Sequence, residues 1–475
     1  MNKTSEQLAL PFTPVVHRIP MNSTGQERLS ALLNSDLNFH DKNSSYGSHN
    51  FHSFPAKFPP QLPRKFIESL TEPGDLVLDP MSGSGTTILE AYLSGRQAIG
   101  FDIDPLALII SRVKVTPLEI EKLAIASQNV LTQARNELKN RRQHLEQARA
   151  FRWDDVTLTF IDYWFAKETQ FELLALIQAI EQVADANIRL FLQTAFSATI
   201  ITKTGGVSLA LDLAHTRPHR AKIVRDANGI EVFREIDSDK PLKRPDILTK
   251  TLRSPLIEFE KRYRNNLRGI CPLSQSLYPV QVSWGDAQRL ALPEASVDLI
   301  VTSPPYASNA IDYMRAHKFS LVWLGYPLND LGKKRKEYIG GESTSGLILE
   351  SLPVEAAKIV AEISALDPKK GLALHRYYSE MTGVLREMYR VLKPGKSAIV
   401  VVGSSVMRNV NTQTQHCLEV IGRQIGFEVP KIGVRNLDRD RRMLPAGTHL
   451  NLASQIQQRI HEEFVIGFYK SGGSA

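Results

Sequence analysis

Residues 75–105 have the sequence DLVLDPMSGSGTTILEAYLSGRQAIGFDIDP, which indicates the class of the fold. A short apolar strand ends at Asp79, and the turn that follows, 82–85, contains only serine and glycine. A helix is expected after this turn, and a second apolar strand ends at Asp102. Short apolar runs of this kind are typical of parallel strands that are buried on both faces.

The same pattern recurs later in the chain. A strand and a helix are expected within 297–325, and SAIVVVG at 397–403 adds another strand signal. Because helices alternate with these strands, we predict an open, mostly parallel, doubly wound α/β sheet. Residues 1–35 are polar without a sustained period, so they are predicted to form a loose N-terminal leader. The predicted core consists of three segments: 36–118, 281–325 and 376–475.

Two stretches break this alternation and are predicted to be insertions. Residues 119–280 are first helical and then irregular and basic, which makes them a candidate for DNA recognition. Residues 326–375 carry the basic run 333–336 and the glycine-rich GGESTSG, so they are a candidate target-recognition loop. Substrate recognition usually resides in such insertions. Each charge run could also be ordinary solvated surface.

The composition is that of an ordinary globular protein. The chain has 475 residues, of which 42% are apolar and 23% are charged. No apolar run approaches the ~20 residues of a membrane span, and the start lacks the order of a signal peptide, so a cytoplasmic location is expected. Cys271 and Cys417 have no metal-binding spacing, and no metal is expected. The net charge of +8 fits a polyanionic partner, although many proteins without one share it.

The glycine-rich turn predicts a nucleotide-like ligand, for which three alternatives compete. An ATP-binding loop needs a lysine that this turn lacks, and a dinucleotide loop needs a third glycine where Ile88 stands. Asp79 would repel a pyrophosphate but would suit the ammonium and sulfonium of S-adenosyl-L-methionine. Asp102 is placed to accept hydrogen bonds from ribose hydroxyls. A glycine turn without any ligand is the remaining alternative.

A tetrapeptide at the end of the third strand signal provides groups for methylating an amine. Ser303-Pro304-Pro305-Tyr306 follows the strand predicted at 298–301 and Thr302, and two prolines cannot continue a strand. Ser303 and the Pro304 carbonyl could accept the protons of an exocyclic amine and aim its lone pair at a methyl group. Tyr306 could stack on a base that has been flipped out of a duplex. The alternative is a turn that the prolines merely stiffen.

Four motifs in this order, DPMSGSGTT, GFDIDP, GDAQRL and TSPPY, resemble those of the amino-methyltransferases of DNA. These enzymes methylate the exocyclic nitrogen of cytosine or adenine. The upstream HSFPAKFPPQLPRKFI, at 52–67, is similar to the segment that packs over the methionine end of the cofactor. The resemblance implies a class I, Rossmann-like methyltransferase fold and the cofactor S-adenosyl-L-methionine.

The resemblance also implies roles for individual residues. The tetrapeptide, Ser303, Pro304, Pro305 and Tyr306, would be catalytic and hold the target base. The implied cofactor-binding residues are Lys57, Phe58, Asp79, Pro80, Ser82, Gly83, Gly85, Thr86, Asp102, Ile103, Asp286 and Ala287. Among them, Asp286 would bind the adenine amino group.

Double-stranded DNA is the expected partner, and polar or basic residues outside the motifs are candidates to contact it. The candidates are Asn309 after the tetrapeptide, Lys243, Arg244, Lys250 and Arg253 in the first insertion, and Arg441 and Arg442 near the end. Helix capping for Asn309 and solvated loops for the basic residues are the alternatives.

These observations predict a site-specific DNA methyltransferase that flips its target base in the cytoplasm of a prokaryote. Serine at position 303 is more often seen in the cytosine-N4 enzymes, so N4 of cytosine is favoured and N6 of adenine is the alternative. A restriction endonuclease could accompany the enzyme. An RNA methyltransferase of the same fold, acting on a guanine of tRNA, and a DNA-binding module without activity remain as further alternatives.

Overall fold

The structure is a computed structural model of the chain. It describes residues 23–472 except for 55–56, 58, 203, 212, 214–217, 236–247, 271–277, 308–311, 342–348 and 438–461. Within this part of the chain no helix is both long enough and apolar enough to cross a membrane.

Strands and helices of the described residues are numbered here in chain order. The strands β1 to β12 are Leu76–Asp79, Gln97–Asp102, Ile223–Arg225, Glu231–Arg234, Thr249–Thr251, Val280–Trp284, Val297–Thr302, Leu392–Gly403, Val406–Met407, Val410–Asn411, Glu428–Asn436 and Glu462–Tyr469. The helices α1 to α15 are Gly25–Asn34, Gln61–Leu70, Thr86–Leu93, Pro105–Val115, Ile120–Asn140, Arg142–Arg152, Asp155–Trp164, Lys167–Glu181, Ala186–Ile200, Pro255–Arg268, Tyr313–Leu321, Leu328–Glu337, Val354–Leu366, Pro368–Val391 and Thr414–Ile425.

The central sheet has seven strands in the order β11-β12-β8-β7-β1-β2-β6. All neighbours are parallel except β12, which runs antiparallel to both β8 and β11. Successive residues of a strand point to opposite faces, so Val77 packs with α1 and α2 while Leu78 packs with α14 and α15. Helices therefore cover both faces, and the predicted open, mostly parallel, doubly wound α/β sheet is confirmed.

The strand order reverses beside β1. From β1 the chain passes through α3 to β2 on one side, whereas β7 pairs with β1 on the other side. In open α/β sheets, such a switch point opens a crevice at the carboxyl ends of the strands, and ligands bind there. The two strands that border it end at Asp79 and Thr302. The motif-bearing loops thus begin at the same edge of the sheet.

The prediction of a loose leader at 1–35 is wrong for 25–34, which form α1. Thr24 and Glu27 cap this helix reciprocally, because each side chain accepts a hydrogen bond from the backbone N–H of the other residue. Leu29 and Leu33 are buried against the edge of the central sheet that β11 and β12 form, so α1 belongs to the core.

The two predicted insertions stay predictions as domain units, and the structure corrects one of their boundaries. Helices α5 to α10 form a helical cluster with α4 and α11, and β3 to β5 add a small separate sheet. The second insertion cannot end at 375, because α14 runs without interruption from Pro368 to Val391. Leu374 and Tyr377 are both fully buried in the core, one on each side of the predicted boundary. The helix is one packing unit, and it begins at the Asp367 cap.

Candidate active site

One cleft lies at the switch point of the sheet. It encloses about 910 Å³ of empty space, part of it open to solvent, and both Asp79 and Ser303 line it. Most of the predicted cofactor residues line it as well: Lys57, Asp79, Pro80, Ser82, Gly83, Thr86, Asp102, Ile103, Asp286 and Ala287. Of the tetrapeptide, Ser303 and Pro305 reach the cleft, and Phe58 lies outside the described residues.

The glycine-rich loop takes a conformation that side chains would oppose. Gly83 and Gly85 have φ values of +49° and +72°, in the left-handed region that favours glycine. A Cβ on Gly85 would lie 2.9 Å from the Cα of Ser111, so α4 approaches too closely for any side chain there. The Gly83 N–H donates a 2.7 Å hydrogen bond to Oδ2 of Asp102, which ties the loop to the end of β2.

Two residues of α4 hold the same loop, and the sequence analysis missed both. The Ser111 hydroxyl donates to the Gly83 carbonyl at 2.8 Å, and the Lys114 ammonium donates to the Ser84 carbonyl at 2.5 Å. Their spacing of three residues places them on one face of the helix. Lys114 is only 1% exposed, and burial holds its pKa well below the ordinary value. The available signal was the spacing of Ser111 and Lys114 at i, i+3 in a largely apolar helix, where Arg112 is the only other polar residue.

The floor of the cleft carries two carboxyl groups that water no longer solvates. Burial raises the pKa of Asp79 to about 6, although the hydrogen bond that its Oδ1 accepts from the Met81 N–H opposes the shift. Burial and the neighbouring Asp104 raise the pKa of Asp102 to about 7. Because desolvation disfavours the charged forms, a bound cation would favour their ionisation. The cleft floor therefore suits a positively charged ligand.

Asp104 differs from these two carboxyl groups because it already has partners. Its Oδ1 accepts the Leu106 N–H at 2.8 Å and caps α4, and its Oδ2 lies 2.5 Å from Nδ1 of the buried His317. The His317 ring holds the pKa of Asp104 below its ordinary value despite burial. This pair fixes the start of α4, and so the position of Ser111 and Lys114.

Aromatic and apolar residues border the cleft. The Phe54 ring stacks on Tyr313 with 5.4 Å between the centroids, and both residues line the cleft. Tyr338 and Ile339 line it from the end of α12, which belongs to the second insertion. The sequence analysis assigned that insertion to DNA alone, whereas its residues also form part of this cleft. Lys57 donates to the carbonyls of His49 and His52, which holds the segment around Phe54 together.

The tetrapeptide begins where β7 ends. Thr302 is the last residue of the strand, and Ser303 opens directly on the cleft. Pro304 is buried beneath it. The Tyr306 hydroxyl donates a 2.7 Å hydrogen bond to Oε1 of Glu463, a residue that the sequence analysis did not single out. On the opposite side, Asp286 follows β6, and its Oδ1 accepts the Gln288 N–H at 2.9 Å.

The residues predicted to contact DNA are described only in part. Asn309, Lys243, Arg244, Arg441 and Arg442 lie outside the described residues.

Lys250 is described, and its predicted phosphate contact needs correction. The Nζ atom donates to the carbonyls of Ser208 and Ala210, both at 2.6 Å, and burial lowers its pKa to about 7. The Lys250 amino group therefore already has hydrogen-bond partners within the first insertion. Arg253 has a side chain that is 46% exposed and lies 3.6 Å from Glu258, so its contact with DNA stays a prediction.

Comparison with known families identifies the chain. A family model described as DNA methylase, for N6 and N4 methyltransferases, matches residues 19–111 and 297–464. These two segments make up more than half of the chain. The chain belongs to the N6/N4 DNA methylase family.

Relatives of this DNA methylase include two Type II methyltransferases that match over most of the chain. M.MvaI of Kocuria varians is 25% identical over 413 residues, which are 82% of this chain and 84% of that protein. M.BsoBI of Geobacillus stearothermophilus is 24% identical over 447 residues, which are 84% and 82% of the two chains. Among solved structures, a SAM-dependent methyltransferase of Methanosarcina mazei is 11% identical, with coverage of 86% and 97% and a TM-score of 0.29.

The described part of the methylase contains no cluster of three or more His, Cys, Asp or Glu side chains that could hold a metal ion. The carboxyl groups of the cleft are instead spread along its floor, where backbone N–H groups contact each of them. This arrangement suits an extended organic ligand whose polar groups are spaced apart.

Proposed function

We propose that this DNA methylase transfers a methyl group to the exocyclic nitrogen of a base in duplex DNA, with N4 of cytosine as the favoured target. The observation that carries the proposal is the shared cleft, in which Asp79 and Ser303 open on the same space. Asp79 ends the strand that leads into the glycine-rich turn, and Ser303 begins the tetrapeptide, so the cleft can hold a methyl donor and an amine together. Well-oriented reactants gain roughly 7–11 kcal/mol over free encounter.

S-adenosyl-L-methionine is the cofactor, and when bound it supplies an electrophilic methyl group on a sulfonium. The residues present fit this group. Asp79 would hold the ammonium, Asp102 the ribose hydroxyls and Asp286 the adenine amino group. Glycine at 83 and 85 lets the backbone approach the ligand, and the N-terminus of α3 offers free N–H groups to its carboxylate. Burial raises the pKa of Asp79, and a cation bound beside it would favour the ionised carboxylate and offset this cost.

The amine is the weak partner of the reaction, because its lone pair is delocalised into the base ring. Ser303 and the Pro304 carbonyl would accept hydrogen bonds from its two protons and turn the lone pair toward the cleft. A stiff backbone at both prolines keeps these acceptors in place. Tyr306 would stack on the flipped base. No strong base is required first, because the cationic product is acidic and can lose its proton after the transfer.

Serine at position 303 supports cytosine over adenine as the target. A neutral hydroxyl both donates and accepts, so it could accept from the amine or donate to a ring nitrogen. A carboxylate in its place would only accept. Cytosine and adenine both carry a ring nitrogen beside the amine, so this chemistry does not choose between them. The proposal of cytosine rests on the family resemblance, in which serine at this position is more often seen in the cytosine-N4 enzymes.

Type II names among the relatives support a role in modification of a recognition sequence, with a restriction endonuclease as the partner, in the cytoplasm of a prokaryote. The two insertions would supply the DNA contacts. In the second insertion, α12 exposes Lys333 and Lys336 close to the residues that line the cleft. Cationic side chains near the rim are the groups that bind phosphates.

Nucleoside analysis tests the activity and the base together. DNA from cells that express the protein is digested to nucleosides and analysed by mass spectrometry, with cells that express Ser303→Ala as the control. We expect N4-methylcytosine only with the unaltered protein. N6-methyladenine would correct the target base.

Purified protein with labelled cofactor separates the remaining alternatives. We expect label in plasmid DNA and none in total tRNA. Label in tRNA alone would contradict the proposal and favour the RNA enzyme. Cofactor binding without transfer to any DNA would favour a binding module.

A further inference from the structure

The last residue of the tetrapeptide is held by a carboxylate from a distant strand. Tyr306 donates its hydroxyl to Oε1 of Glu463 at 2.7 Å, 157 residues further along the chain. Burial and the Glu463 carboxylate hold the pKa of Tyr306 well above its ordinary value, so the hydroxyl stays protonated and remains the donor. The far end of the Tyr306 ring is thus fixed, while Pro304 and Pro305 restrict the backbone at its near end.

The register of the sheet brings this carboxylate to the tetrapeptide. Glu463 pairs with Gly403 of β8, and β8 pairs with β7 so that Val400 lies opposite Thr302. Gly403 is three residues beyond Val400, at a level past the end of β7. Because β12 is antiparallel, it begins at the edge where the parallel strands end. The strand β8 lies between β12 and β7, and its residue at the level of Glu463 is Gly403, which has no side chain.

An arginine supports the carboxylate from its other side. Arg435 lies directly opposite Glu463 in the antiparallel pair of β11 and β12, and their side chains form an ion pair. Both residues are buried, with 5% and 9% exposure. Buried ion pairs add little net stability compared with apolar residues of the same size, so stability alone does not account for this pair. The pair does hold the Glu463 carboxylate in place, with its other oxygen directed at Tyr306.

We propose that Glu463, supported by Arg435, is a positioning residue that fixes the Tyr306 ring as a stacking platform for the flipped base. The proposal rests on the proposed function, because it assigns a role within the same reaction. A ring that is already held at both ends loses little freedom when a base stacks on it. Glu463 itself does not touch the reacting atoms and acts only through the hydroxyl of Tyr306.

Steady-state kinetics of Tyr306→Phe, Glu463→Gln and the double variant test this role on a duplex oligonucleotide. Tyr306→Phe keeps the ring and removes only the hydroxyl, and it leaves Glu463 paired with Arg435. We expect kcat/KM for DNA to fall on the order of tenfold, the usual effect of losing one hydrogen bond to a charged group. The KM for the cofactor should stay unchanged. Glu463→Gln, whose neutral amide oxygen is a weaker acceptor than the carboxylate, should have little further effect in the Tyr306→Phe background, because both changes act on the same hydrogen bond.

Tyr378→Phe is the matched control, because the Tyr378 hydroxyl is also buried and donates to the Thr412 carbonyl outside the cleft. It should leave kcat/KM for DNA at the level of the unaltered protein. Full activity of Tyr306→Phe, or additive losses in the double variant, would overturn the positioning role. If Glu463→Gln does not fold, the positioning role is tested by comparing kcat/KM for DNA of Tyr306→Phe with that of Tyr378→Phe. If the proposed function itself is wrong, the unaltered protein methylates no DNA. This result is distinct from the outcomes that contradict only the positioning role, in which the unaltered protein remains active.

Discussion

Acid should weaken cofactor binding, and the structure gives the size of the effect. Asp79 has a pKa of about 6, so at about pH 5 only about a tenth of the molecules carry its charge. If the cofactor ammonium binds the ionised form, its affinity should fall about tenfold from pH 7.5 to pH 5, which is about 1.4 kcal/mol. Asp102, with a pKa of about 7, adds to this loss, although a protonated carboxyl can still hydrogen-bond ribose hydroxyls.

Calorimetric titration at both pH values, on the unaltered protein and on Asp79→Asn, measures this effect. The variant should bind weakly at pH 7.5 and lose in acid only the part of the affinity that depends on Asp102, because the Asp79 carboxyl is gone. Methylthioadenosine, which lacks the amino-acid part, is the control ligand and should show the same affinity for both proteins. An affinity of the unaltered protein that does not change with pH, or an Asp79→Asn variant that keeps the full pH dependence, would refute the placement of the ammonium at Asp79.

Asp79 and Asp102 also determine whether the cofactor-free protein gains or loses folding stability as the pH rises. Their folded pKa values lie above the ordinary 3.8, so the protonated forms stabilise the fold. This contribution is complete at pH values below about 4 and is lost as the pH rises through 6 and 7. The cofactor-free protein should therefore lose stability through this window, where the cofactor gains affinity. The rise in Tm on adding cofactor should be larger at pH 7.5 than at pH 5.

Three further predictions concern single contacts. Ser303→Ala should lower kcat by about ten- to a hundredfold and leave the cofactor Kd unchanged, as measured by steady-state kinetics and titration. Ser111→Ala removes the donor to the Gly83 carbonyl and should raise the cofactor Kd about fivefold with kcat at saturation unchanged; an unchanged Kd would mean that the loop does not need this support. Replacing Lys333 and Lys336 together by alanine should weaken binding to DNA of any sequence and reduce the salt slope by about two, as measured by filter binding at several salt concentrations.

The sequence was informative wherever function and local structure share a few neighbouring residues. A strand that ends at a carboxylate, followed by a glycine turn and a helix, already contains the geometry of the cofactor loop. Gly85 illustrates this, because its positive φ and its contact with α4 both require a residue without a side chain. The sheet class followed from the same local patterns, because buried parallel strands must be apolar throughout.

Helix α1 was missed although its local signals were present. Thr24 and Glu27 form a capping box, and Leu29 and Leu33 recur at helical spacing. The polar composition of the surrounding residues obscured a short apolar stripe, because only one face of this helix is buried. The predicted boundary at 375 was also wrong. Helix α14 carries buried residues along its whole length, so it has no break at 376, where the predicted core segment was expected to begin.

Glu463 and Arg435 show a harder limit. Both reach the tetrapeptide only through strand pairing with elements far away in the chain, and neither stands in a motif. An arginine in an edge strand and a glutamate in its neighbour resemble exposed charges of an ordinary sheet surface. Only the register between β11, β12 and β8 shows that they face each other and reach the end of β7. The residues that should touch substrate were thus found in local motifs, whereas those that hold them in place depend on tertiary structure.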